Sequence, residues 1–151
     1  MMNLRSGLHL KTFKEYFKEN VEEGEWALND LSGDVKSLIK KSQKYPTEKI
    51  PLSDLIALEK NGKAGTNLKL AYFTVNGKEL EYDKLSNDLK AKYSKEENQR
   101  IENANLLYPI IVATDNNKLI SILDGNHRYE KAKKYSVNEL PAKLIPIEDL
   151  K

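Results

Sequence analysis

The sequence predicts an α+β fold, a small mixed sheet with helices packed around it, and three observations carry that expectation. Pro109-Ile110-Ile111-Val112-Ala113 is a short apolar run of strand length, and Lys118 to Leu123 returns after a turn over Thr114 to Asn117. Asn76-Gly77 lies between two β-rich stretches, Leu68 to Val75 and Lys78 to Tyr82, a strong short-range hairpin signal. Apolar residues at helical spacing fill much of the remainder.

The elements follow in order. Leu10, Phe13, Phe17 and Val21 predict an amphipathic helix over residues 9–23, stopped by Gly24. A second helix is expected after Ser32 or Asp34, burying Val35, Leu38 and Ile39 and ending before Tyr45-Pro46; Trp26 between the two reads as a packing anchor. Together residues 1–48 read as an N-terminal helical extension that packs on the main domain or on a protein partner. Residues 49–151 read as that domain.

Lys49-Ile50-Pro51-Leu52 predicts an edge strand, because proline cannot donate to a central ladder. Ser53 is expected to cap a short helix through Leu58, and Asn61 to Asn67, with Gly62 and Gly65, to form a loop. Tyr72, Phe73 and Tyr82 are expected to serve the core. Helices are predicted at 84–93 and 95–107, the second started by Ser94 with Glu97 in a capping-box pattern. After Asp124-Gly125 breaks the returning strand, residues 126–135 predict a helix and Leu140 to Ile145 a last strand.

Composition narrows the chemistry. The 151 residues hold no cysteine, which excludes thiol catalysis, disulfides and thiolate metal sites and favours a reducing compartment. His9 and His127 are the only histidines, too few for a multi-histidine metal site. A net charge of +2 argues against a protein that coats DNA by charge alone. No apolar run approaches the roughly 20 residues of a membrane span. The expected location is cytoplasmic, or a virion for a phage-encoded chain.

Asp124-Gly125-Asn126-His127-Arg128 carries the strongest chemical signal. A strand ending there and a helix beginning leave outward-facing amides and the positive end of a helix dipole. Gly125 would let a ligand approach the backbone, Arg128 would grip phosphate oxygens as a fork, and His127 would donate a hydrogen bond or carry a proton. Asp124 would hold Mg²⁺ or orient His127. The plainer reading makes Asp124 a cap, Gly125 a turn residue and Arg128 a surface charge. Gly62-Lys63-Ala64-Gly65-Thr66 does not fit the Walker pattern; as a loop at the site mouth it would let Lys60 or Lys63 reach a ligand. Lys131, Lys133, Lys134 and Lys143 read as a solvated face or, alternatively, a nucleic-acid surface.

Three stretches, Glu102 to Val112, Ile122 to Tyr129 and Leu140 to Ile145, resemble the ParB/sulfiredoxin (ParB-like nuclease domain) superfamily, with Ile50 to Leu55 resembling its opening strand and helix. The family pattern runs from a helix into a Pro-Ile-hydrophobic-Val strand. A hairpin follows, then an Asp-Gly-X-His-Arg turn, a helix and a Val-Pro-Ala-X-hydrophobic strand. The resemblance implies a ParB/sulfiredoxin-like sheet and a nucleotide site in which Gly125, Asn126, His127 and Arg128 cradle phosphate. Asp124 and His127 would lie nearest the reaction, and Glu59 falls in the zone where the family's kinases place a carboxylate base. Expected ligands are ATP or another NTP with Mg²⁺, and the expected activity is phosphotransfer or nucleotide hydrolysis. The alternatives are a ParB-like nuclease or DNA-binding accessory protein, and a non-catalytic interaction protein. Sulfiredoxin's reactive cysteine is missing, with Asn126 in the turn, so that activity is not expected. No helix-turn-helix follows, so neither is DNA segregation.

Overall fold

The computed structural model describes residues 24–151. The helix expected at 9–23 lies outside them. The first described element is one that the sequence reading missed. Strands β1 (Glu25–Leu28) and β2 (Leu31–Asp34) form a hairpin about Asn29-Asp30, with Asn29 at φ 57°. Trp26 therefore lies on a strand and not between helices, its indole against Gly33, where an added Cβ would come within 2.9 Å of Nε1. Helix α1 (Val35–Ser42) begins where expected, with Asp34 accepting the Ser37 amide at 2.7 Å as its cap. It buries Val35, Leu38 and Ile39.

A four-stranded sheet forms the centre: β3 (Thr47–Pro51), β6 (Ile110–Asp115), β7 (Lys118–Asp124) and β8 (Glu139–Pro146), in the order β3-β8-β6-β7. β6 and β7 pair as an antiparallel hairpin about Asn116-Asn117, both with positive φ. β8 returns parallel to β6, and β3 pairs antiparallel at the edge that Pro51 predicts.

Strand alternation sends successive β6 side chains to opposite faces. Ile110 and Val112 meet one core, shared with Leu55 and Leu58 of helix α2 (Leu52–Glu59) and with Tyr129 and Ala132 of helix α4 (Asn126–Lys134). Ile111 and Ala113 meet the other, shared with Trp26, Leu28, Val35, Leu38 and Ile39. Residues 26–39 thus cover the second face of the sheet.

Between α2 and β6 the chain makes the hairpin of β4 (Tyr72–Val75) and β5 (Lys78–Glu81) about Asn76-Gly77, then helix α3 (Asn87–Asn103). Several expectations are corrected here. Ser53 is not a cap, because α2 starts directly after Pro51 without a side-chain cap bond. The two helices expected at 84–93 and 95–107 are one, capped by Ser86, whose hydroxyl accepts the Leu89 amide at 3.2 Å. Ser94 lies in its interior, and Glu97 turns inward with the Leu89, Tyr93 and Ile101 face, four residues apart. Tyr72 is exposed, Tyr82 belongs to a 3-10 turn, and Phe73 packs on Tyr82 and Tyr93 outside the main core. No helix among the described residues is long and apolar enough to cross a membrane.

Candidate functional site

Gly125 makes the handover from β7 to α4 possible. Its φ of 102° is left-handed, and an added Cβ would fall 2.5 Å from Ile110 Cγ2 and 3.1 Å from the Ile110 Cα. The missing side chain makes room for the neighbouring strand, whereas the sequence reading assigned that room to a ligand. The first helical bond runs from the Tyr129 amide to the Gly125 carbonyl at 2.9 Å, so the α4 amides before it have no partner within the helix.

The two charged ends of the turn engage each other. Arg128 is 3% exposed, and its guanidinium donates to the Tyr108 and Pro109 carbonyls at 3.1 and 2.6 Å and to Asp124 Oδ2 at 3.1 Å. This corrects its expected place as an outward phosphate fork: its planar donors tie α4 to the entry of β6. Asp124, expected as a Mg²⁺ ligand or as the group that orients His127, accepts from Arg128 at Oδ2, with its side chain 17% exposed. Among the described residues no group of three or more His, Cys, Asp or Glu side chains is arranged to hold a metal ion.

His127 and Asn126 point elsewhere. Asn126 Oδ1 accepts the Gly65 amide at 2.8 Å, and Glu130 Oε2 accepts that of Thr66 at 2.8 Å, pinning the loop after α2 over the start of α4. His127 Nε2 lies 2.9 Å from Glu97 Oε1, with the imidazole about one-third exposed and the carboxylate mostly covered. Burial pushes the Glu97 carboxyl up, but hydrogen bonds from His127 and Thr66 outweigh it and hold the group below its ordinary value. With Nε2 engaged, Nδ1 is the ring atom that would exchange a proton with a ligand. Glu97 and Glu130 line a cleft of about 310 Å³ together with Thr66, Lys69, Tyr82 and Ser94.

Glu59 comes near this region but not onto His127. It takes the Tyr129 hydroxyl and, at 2.7 Å, Lys133 Nζ, while its carboxyl carbon lies 3.7 Å from the Cβ direction of Gly65. Those two donors hold its pKa below the usual carboxylate range, against burial, and burial with Glu59's charge pushes Tyr129 up. A depressed carboxylate stabilises the fold above its unfolded pKa and loses that contribution as pH falls through the folded value. Glu59→Gln is therefore expected to lower stability at pH 7, with the deficit shrinking only as pH falls below the ordinary glutamate range and through the depressed folded value. Urea unfolding at a series of pH values checks this; a deficit equal at every pH would show that the charge is immaterial.

The lysines expected to form a solvated face or, alternatively, a nucleic-acid surface are at least partly exposed, and each has a partner within the protein. Lys131 donates to the Glu102 and Ala104 carbonyls at 2.8 and 2.9 Å, Lys133 bridges Glu59 and Glu130, Lys134 pairs with Glu102, and Lys143 donates to the Tyr45 carbonyl. Glu97, Glu130 and Thr66 are the site residues that the sequence reading missed as such. Only an unbroken α3 would have aimed Glu97 at the turn. Comparison with protein-family models, with curated proteins and with solved structures finds no match to this chain.

Proposed function

We propose that the chain is a ParB/sulfiredoxin-like nucleotide-binding enzyme, an NTP-dependent phosphotransferase or nucleotide hydrolase, that takes phosphate at the start of α4. The observation that carries this reading is the partly exposed His127 in the first turn of α4, held by Glu97, which itself lines a ligand-sized cleft. Phosphoryl transfer asks mainly for positioning and charge compensation, and the α4 amides, Asn126 and His127 would supply both. His127 would take the proton from the attacking hydroxyl or water as the phosphoryl group passes to that oxygen and the nucleoside diphosphate leaves. Arg128 and Asp124 stand behind this, fixing the turn. Mg²⁺ would arrive on the nucleotide phosphates, with no ligand assigned from the protein.

A second reading, a non-catalytic interaction protein, is favoured by one observation: Arg128 is already occupied by the protein's own carbonyls and carboxylate. Calorimetric titration with ATP, CTP and ADP in Mg²⁺ separates the two. The enzyme reading expects saturable binding weakened at least tenfold by His127→Ala. Absence of binding selects the non-catalytic reading, and equal affinity in the variant removes His127 from the phosphate site.

A further inference from the structure

Residues 68–103 stand apart from the packing of the rest. Neither core cluster, nor the half-buried apolar residues against it, draws on any residue between 65 and 105. The segment has its own small apolar centre instead. Leu85 is 5% exposed, Phe73 stacks on Tyr93 at 4.5 Å between ring centres, and Tyr82 lies alongside. α3 contributes no fully buried residue to the molecule.

What ties this segment down is polar and comes mainly from the outer stripe of α4. His127, Lys131, Lys134 and Tyr135, spaced so as to share one helix face, engage Glu97, the Glu102 carbonyl and, for the last two, the Glu102 carboxylate. The inner stripe, Arg128, Tyr129 and Ala132, is buried toward the sheet. One wall of the cleft, with Leu68, Lys69, Tyr82, Ser94, Glu97 and Ile101, belongs to the segment, and Glu130 belongs to α4.

We propose that residues 68–103 form a hinged flap that opens as one unit, latched by Glu97 and Glu102 on α4, so that opening the cleft also parts Glu97 from His127. Polar latches, one part-buried at Glu97 and one exposed at Glu102, release more readily than apolar cores, and units with few apolar contacts are the ones that open locally. The hinges fall at the loop pinned by Asn126 and Glu130 and at Ala104, whose carbonyl Lys131 holds. The opening stands on packing alone. Its consequence for proton transfer rests on the function proposed above.

Hydrogen exchange on the full chain without ligand tests it. Amides of β4, β5 and α3 are expected to exchange with a shared opening constant, at least about tenfold faster than those of β6, β7 and β8. The variant Glu97→Gln with Glu102→Gln is expected to speed the flap alone by about three- to tenfold. Exchange of the segment in step with the sheet, or a variant that leaves the flap rate unchanged or speeds the sheet equally, overturns the proposal. Nucleotide titration decides the phosphate reading separately, so failure of one is told from failure of the other.

Discussion

Arg128→Met should lower the stability of the chain by about 3–5 kcal/mol, the usual consequence of removing one partner from a buried ion pair. The side chain is 3% exposed, and its loss would leave the Asp124 carboxylate and the Tyr108 and Pro109 carbonyls without the guanidinium. Arg128→Lys is expected to recover little, because one ammonium cannot span donors laid out for a planar fork. Urea unfolding followed by circular dichroism measures both. If Arg128→Met folds with near-parental stability and instead abolishes nucleotide binding, the residue faces a ligand, and the role assigned to it here is wrong.

The second large effect is expected at Gly125. Gly125→Ala places a methyl group against both the side chain and the backbone of Ile110 and forces a left-handed conformation on an L-residue. The conformational cost is about 1 kcal/mol and the crowding about 1–3 kcal/mol, so a loss of about 2–4 kcal/mol is anticipated. Adding Ile110→Ala removes the clash with Cγ2 but leaves the Ile110 Cβ at 2.9 Å and the Cα at 3.1 Å. The double variant should therefore recover nothing beyond the crowding contribution, and it carries its own cavity cost. A Gly125→Ala protein as stable as the parent would show that the turn can shift, and that the glycine serves something other than strand packing.

These two positions mark where the sequence was legible and where it was not. The location of the turn could be read because a β-run, a glycine and a helical pattern follow one another within a dozen residues. The Asn76-Gly77 hairpin, the edge strand with Pro51 and helix α1 were legible for the same reason, since each rests on local backbone preference. The direction in which Arg128 points was not legible. It depends on Tyr108 and Pro109, some 20 residues earlier, whose carbonyls face α4 only once β6 is in the sheet. Glu97 was misread because Ser94-x-x-Glu97 satisfies a local capping pattern that the longer helix overrides. The β1–β2 hairpin escaped because its four-residue strands are short and its Asn29-Asp30 turn lacks glycine. The function itself, including the nucleotide, stands on the proposal above.

One consequence of the two-faced sheet concerns how far this chain can be trimmed. The main domain expected from the sequence begins at residue 49, yet the apolar underside of its sheet is upholstered by Trp26, Leu28, Val35, Leu38 and Ile39. A fragment cut at that boundary would bare Ile111, Ala113, Leu123 and Ile145 to water as one contiguous greasy plate, the kind of surface that drives molecules to clump. The smallest piece able to stand alone is therefore expected to start before the first hairpin, and any graft of the Asp124–Arg128 turn with its sheet into another protein must bring that hairpin with it.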